Sequence, residues 1–548
     1  MFRLHLVPGR LGGGDWQLVA GRIVGRHGCF EPFAHPMVEA RALAGPSGRL
    51  GIAVFERPHA AGSATASPIS LRHCDSMEEA EAFRQLRDKV MNWPLHWFWI
   101  EIDVGAVSIQ ASGLPTVPVF VAQNAVAAIV DWDPLALYGY IDPLLDMEVA
   151  ADYLARFEQP YAARTAIRQI GHVAAGHLAT WRAGECWSFV PPTSKVGPHA
   201  RHLEKAADPV RSFGELLDAS FMRLLPDPAV PLAAGLSGGL DSSAVVAAAR
   251  RRGHRVDSFG LVMPGPDGIT QQARRQAVID RFQLRDHAHR VSYESSRWAD
   301  YGRAVADRVV PWEERHHDLL DGLYARAAEN GHACFLTGVG GDELLMSYWD
   351  EMADRDESIQ ALRGPGELPG FLGRDVHEGR EARFQTLMAM PRVHVQKSVM
   401  DVVAGSAAQL LRHGLWPIHP LATPELARYC HGLPLAWRED RRTVREWLGR
   451  QGLPPAVTHP PSTESFANIS TSALIQCPPH RGPLHTPRLA DLGLVDPTAV
   501  APAYRAWLAG TAPASWNAHF IAMTVLETTL MSIANAPRKS PIQALVAV

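Results

Sequence analysis

Hydrophobic positions change their spacing near the middle of the chain. Before it, Trp97–Gln110 and Val117–Ala122 are short runs of β-branched and aromatic residues bounded by turn residues, the signature of strands. Ala125–Leu137 is largely apolar and holds the turn-like Trp132-Asp133-Pro134, and Glu148–Phe157 reads as a helix. Val190–Pro198, rich in Gly and Pro, reads as a linker. From Pro209 onward short apolar runs alternate with longer helical segments. A helix over Val210–Leu225 leads to a strand at Val230–Leu236 and a helix from Ser243 to Arg250. Strands at Val256–Met263, Ala288–Val291 and His332–Thr337 follow, separated by helices over Thr270–Phe282 and Trp298–Asn330. Such alternation predicts a parallel sheet with crossover helices. Beyond Ser347 the pattern is mainly helical, with proline-rich breaks at Pro454–Pro461 and Pro478–Pro487. The expected fold is a β-rich N-terminal domain, residues 1–198, followed by an α/β domain with a helical C-terminal part, residues 209–548.

Composition narrows the function classes. At 548 residues the chain exceeds what one core supports. A net charge of −4 gives no basis for nucleic acid or a membrane surface as a bulk partner. The six cysteines form no Cys-x-x-Cys pair, so free thiols and a cytoplasmic location are expected, with no zinc site. There are five lysines, Lys89, Lys195, Lys205, Lys397 and Lys539, so arginine carries nearly all the positive charge.

The chemistry concentrates in two strand ends. Leu236-Ser237-Gly238-Gly239-Leu240-Asp241-Ser242-Ser243 joins an apolar strand to a helix. Glycines let phosphate oxygens approach the backbone, and the first N–H groups of the helix lack internal partners. The Gly-Lys-Ser/Thr ending of a Walker loop is missing, so the segment reads as a pyrophosphate-binding loop. Asp241 repels phosphate unless a divalent cation stands between them. Thr337-Gly338-Val339-Gly340-Gly341-Asp342-Glu343-Leu344 repeats this logic at a later strand. In open α/β sheets ligands bind beyond the carboxyl ends of strands, so Asp241 and Asp342 are placed to hold Mg²⁺ against the triphosphate of ATP.

Together the two loops resemble the synthetase domain of the asparagine synthetase family. The resemblance covers most of residues 95–345, including Phe157–Gly176 and Val117–Pro134. It implies ATP and Mg²⁺ as cofactors, Leu236 to Ser243 around pyrophosphate, Leu261 in an adenine-side strand, and Thr337-Gly338 as a second nucleotide contact. It further implies that the N-terminal part is a glutaminase-like β-sandwich of the N-terminal-nucleophile type. The family activates a carboxylate as an acyl-adenylate and captures it with an amine.

Three departures narrow this further. Glutamine-dependent members begin Met-Cys, whereas position 2 is Phe, so the sandwich is expected to be vestigial. Asparagine synthetases carry Glu, and β-lactam synthetases Tyr, where Val339 stands. A late Arg-x-Lys-x-x-Phe pattern is replaced by Thr458-His-Pro-Pro-Ser-Thr-Glu-Ser-Phe466. Arg445, within a segment resembling the family's Lys-x-x-x-Arg element, joins Asp241, Asp342 and Glu343 as a catalytic candidate. Lys539 or an arginine is left to supply the missing cation. His316, His317, Asp318, Glu313 and Glu314 are further polar candidates around an amine. The expectation is a lasso-peptide cyclase, which adenylates an Asp or Glu side chain of a precursor peptide and joins it to the peptide's N-terminal amine, releasing AMP and pyrophosphate. The precursor peptide, a leader peptidase and a leader-binding protein are the partners it implies. A β-lactam synthetase-like or asparagine synthetase-like small-molecule amide ligase, and a non-catalytic nucleotide- or peptide-binding scaffold, are the competing readings.

Overall fold

The computed structural model describes residues 1–7, 16–60, 62, 68–103, 105–114, 116–193, 201–292, 308–314, 316–346, 367–387, 393–460, 466–476 and 487–540. The N-terminal region is β-rich, as its pattern predicts, and forms two seven-stranded sheets. The first runs in the order Ile170–His172, Phe120–Ala122, Ala128–Asp131, Phe2–Leu6, Gly28–Pro32, Arg22–Gly25, Gln17–Val19. The second runs Ser188–Val190, Leu178–Arg182, Ala106–Ala111, Trp97–Asp103, Leu50–Glu56, Val38–Ala44, Ile69–His73. Pairing is antiparallel except between Val38–Ala44 and Ile69–His73. Side chains on the facing surfaces interlock. Phe2 of one sheet meets Phe98 of the other edge-on, with ring centroids 5.5 Å apart, and both are fully buried. Leu50–Glu56 is buried at every position, because the helix Glu79–Met91 covers the face that the first sheet does not. Phe98, Trp97, Trp99 and Trp132 are buried core residues. The run Trp97–Gln110 is a hairpin of two strands rather than one.

The second region holds a five-stranded parallel sheet in the order Arg285–Arg290, Val256–Val262, Leu232–Gly235, Cys334–Leu336, Trp416–Ile418. Val256–Val262 is buried at all positions, as expected of a parallel strand covered on both faces. The preceding helix, Pro209–Leu224, starts where Asp208 accepts hydrogen bonds from the Val210 and Arg211 N–H groups and Pro209 occupies the first helical position. The fifth strand escapes the sequence pattern. It has three residues, and Pro417 at its centre lacks a donor for a further neighbour, which confines it to the sheet edge. The expected strand at Ala288–Val291 begins earlier, at Arg285. Part of the expected helix Trp298–Asn330 lies outside the described residues; the described portion is His317–Glu329. The chain after Leu344 is otherwise helical in its described residues and ends in the helix Trp516–Asn535.

Long-range polar contacts lock the two regions together. The buried Glu56 accepts a hydrogen bond from Trp416 Nε1 at 2.6 Å, and His35 Nε2 lies 2.9 Å from the Ala333 carbonyl oxygen. Arg412 donates to Asp133 at 2.6 Å and to Glu313 at 2.7 Å. Five cysteines (Cys29, Cys74, Cys186, Cys334 and Cys430) are free thiols; Cys477 lies outside the described residues. Among the described residues no helix is long and apolar enough to cross a membrane.

Candidate active site

The first loop caps the central strand Leu232–Gly235 and opens the helix Leu240–Arg251. Gly238 has φ +87°, a conformation side chains disfavour, and it rests on Arg275. The loop is closed by its own hydroxyls. Ser242 Oγ accepts from the Ser237 N–H at 3.2 Å, and Ser237 Oγ accepts from the Gly239 N–H at 3.1 Å. Ser243 is fully buried, and its hydroxyl has no partner among the described atoms. Beneath the loop Arg275 donates to the Leu236 carbonyl at 2.8 Å and to Asp286 at 2.6 Å. Arg274 is buried beside it. The sequence pattern did not single out these two arginines. They sit mid-helix in Gly265–Phe282, and only the packing brings them under the glycines.

The second loop follows the adjacent strand, Cys334–Leu336. A Cβ built on Gly341 would stand 2.1 Å from Asp241 Cγ, so glycine is what allows the two loops to touch. Thr337 Oγ1 lies 2.6 Å from His419 Nδ1, and burial lowers the His419 pKa to about 4, so this imidazole is neutral. Val339 packs against the core, and its side chain has no group that takes up a proton.

A third segment completes the site. Arg441 donates from Nη2 to Asp241 and from Nη1 to Asp342 at 2.6 Å, spanning the two carboxylates. Its Nε is buried without a partner among the described atoms. Asp440 and Arg441 both adopt left-handed backbone conformations, with φ of 50° and 57°. Such conformations cost of order 1–3 kcal/mol each and persist only where neighbours impose them. Arg445 supplies that restraint. Its Nε donates to the Asp440 carbonyl at 2.5 Å, its Nη2 to Asp440 Oδ1 at 3.0 Å, and its Nη1 to the Thr458 carbonyl. Arg445 thus braces the loop, and Arg441, which was not among the named candidates, reaches the acids. One signal was available: Arg441 opens the same Arg-x-x-x-Arg segment.

The remaining candidates are dispersed. Leu261 is buried in Val256–Val262, beside the central strand. Glu343 lines a small cavity of about 10 Å³ with Gly340 and Leu344 and is half-buried. His317 Nε2 lies 3.7 Å from Glu313, in the Arg412 network, and His316 stacks on Phe466 at 4.5 Å. Lys539 lies over the Tyr140 ring, at 5.4 Å, and packs on Gly139, so it is pinned to the N-terminal region. Within Thr458–Phe466, residues 461–465 lie outside the described residues.

The site's donor set fits a nucleotide triphosphate with a divalent cation. Two carboxylates converge on one cationic group, a glycine cradle leaves backbone open, and the buried Ser243 hydroxyl and Arg441 Nε lack the acceptors that phosphate oxygens provide.

Comparison with known proteins agrees with this geometry. No curated protein matches the chain. Residues 212–531, more than half of the chain, match the family model described as asparagine synthase. That span contains both loops, Arg441 and Arg445. Members of this family are ATP-dependent ligases that form carbon–nitrogen bonds. The chain belongs to the asparagine synthase family.

Proposed function

We propose that this ligase is a lasso-peptide-type macrolactam cyclase, built as a scaffold of residues 1–198 and a synthetase domain of residues 209–548. It adenylates an Asp or Glu side chain of a precursor peptide and joins the acyl group to the peptide's own N-terminal amine. The observation that carries the ligase chemistry is the convergence of Asp241 and Asp342 on one cation beside the first loop. The observations that favour an internal amine are Phe2, whose ring is buried between the sheets where a thiol nucleophile would be needed, and Val339, which offers no proton acceptor.

In this reading Asp241 and Asp342 would hold Mg²⁺, whose charge would offset that of the leaving pyrophosphate. The N–H groups at the start of Leu240–Arg251 and the Ser243 hydroxyl donate to phosphate oxygens. Arg441, which bridges the two carboxylates, would donate to phosphate in place of the absent lysine once those carboxylates held a metal. The substrate carboxylate displaces pyrophosphate at the α-phosphorus. The amine then displaces AMP at the acyl carbon and gives up a proton, for which Glu343, next to Asp342 in the chain, is the candidate acceptor. Holding amine and acyl group in one folded peptide supplies effective concentration worth up to about 7–11 kcal/mol. Incubation with ATP and a leader-processed precursor peptide tests the proposal. AMP, pyrophosphate and a peptide lighter by one water are expected; ADP, or turnover only with small β-amino acids, overturns it.

A further inference from the structure

A cavity of about 360 Å³ lies where the helices His317–Glu329 and Lys397–Arg412 begin, against the first sheet of the N-terminal region. Each of these helices leads into a strand of the parallel sheet, Cys334–Leu336 and Trp416–Ile418. A crossover helix runs back against its strands, so its first turns lie at the carboxyl edge of the sheet. That edge carries both glycine loops. The cavity's volume falls in the range of about 300–1,000 Å³ typical of small-ligand sites.

Its walls are aromatic and its charge is negative. Phe120, Trp312 and Phe466 line it together with four acids, Glu158, Glu313, Glu314 and Asp401. Three of the acids already face cations: Arg412 donates to Glu313, and Lys397 donates to Asp401 and lies 4.0 Å from Glu158. Glu314 accepts only a backbone N–H, that of His316, at 3.2 Å, in the contacts described. Aromatic faces with one carboxylate, Glu314, left over make a site for a cation.

Two orphaned polar atoms define the cation's neighbours. His172 is 5% exposed and sits between Phe120 and Tyr161, with ring centroids 5.2 and 5.3 Å away. Its Nδ1 lies 3.2 Å from the Ala162 carbonyl, which only accepts, so Nδ1 carries the hydrogen and Nε2 the lone pair. That Nε2 has no partner among the described atoms, nor does the Trp312 Nε1 donor. A ligand meeting both brings an N–H donor and an acceptor.

We infer that this cavity receives a primary ammonium group adjoining a carbonyl, as in the first residue of a peptide or an amino-acid amide. The ammonium donates to His172 Nε2 and is balanced by Glu314; the carbonyl accepts from Trp312 Nε1. The inference rests on the ligase reading above for the identity of the amine's owner, and it makes Trp312, Glu314 and His172 specificity residues for that end of the substrate.

Calorimetric titration of the full chain with L-phenylalaninamide near pH 6.5, where its amine is largely protonated, tests it. Binding is expected, with N-acetyl-L-phenylalaninamide giving none. Glu314→Gln is expected to weaken binding about tenfold and Trp312→Phe about threefold, the scale of one charged and one neutral hydrogen bond. Equal binding of the acetylated probe, or affinities unmoved by both substitutions, overturns the inference. A parallel titration with a fluorescent ATP analogue and Mg²⁺ separates the two readings. Nucleotide bound with phenylalaninamide refused removes this site alone, whereas nucleotide refused removes the ligase reading and this inference with it.

Discussion

Arg441 Nη1 donates to Asp342 Oδ1 at 2.6 Å, although 99 positions separate them, and the same guanidinium reaches Asp241. A cation already stands where two carboxylates meet. Any metal that binds there competes with it. Arg441→Ala is therefore expected to raise the affinity for Mn²⁺ alone several-fold, read by the loss of its free-ion resonance signal. In the same variant, adenylation is expected to fall at least about a hundredfold, the scale of losing one donor to developing charge. Unchanged Mn²⁺ affinity would show that the arginine does not compete with the metal.

Asp241→Asn keeps the shape of the loop but removes its charge. Pyrophosphate exchange is expected to drop at least about a hundredfold while the fold is kept, because Arg441 retains Asp342 as a partner. A variant that retained exchange would place catalysis elsewhere.

Gly341→Ala tests the contact between the loops. The added Cβ would stand 2.1 Å from Asp241 Cγ, so one loop must move. A stability loss of about 1–3 kcal/mol is expected from such overpacking, together with weaker nucleotide binding. Gly370→Ala, whose Cβ meets nothing within 4 Å, is the matched control.

Glu56 predicts a pH dependence at the junction of the two regions. Burial pushes its pKa up from 4.5 to about 7, partly offset by the Trp416 hydrogen bond. The folded state therefore binds this proton more tightly than the unfolded chain does. The side chain costs nothing below about pH 4.5 and destabilises progressively as pH rises through 7. Glu56→Gln is expected to gain up to about 3 kcal/mol at pH 8, and nothing at pH 4, in denaturant melts. A gain of equal size at both pH values would assign the effect to packing.

What the sequence revealed and what it hid follow from distance along the chain. Ser237–Ser243 and Thr337–Leu344 were legible because each packs its glycines, hydroxyls and acid into one turn, where local chemistry speaks for itself. The cation between the loops was not legible, since Arg441 lies 200 positions beyond Asp241 and meets it only once the chain between them has folded. Arg274 and Arg275 look like any charged pair on a helix until Gly238 and Gly260 are laid over them. Trp416–Ile418 is too short and too proline-broken to show a strand's alternation, yet its Trp416 is the anchor for Glu56. Lys539, plausible as a replacement cation when lysines are counted, is held by the N-terminal region instead.

The burial of Phe2 bears on reversibility. Its ring fills space against Phe30 and Phe98, so exchanging it for cysteine would empty a core site at a cost of about 3–5 kcal/mol. The new thiol would also be buried among apolar groups, and burial pushes a thiol pKa up, as it does at Cys334. Cysteine at position 2 would supply a thiol, but not a working nucleophile. Packing, more than chemistry, has closed that route.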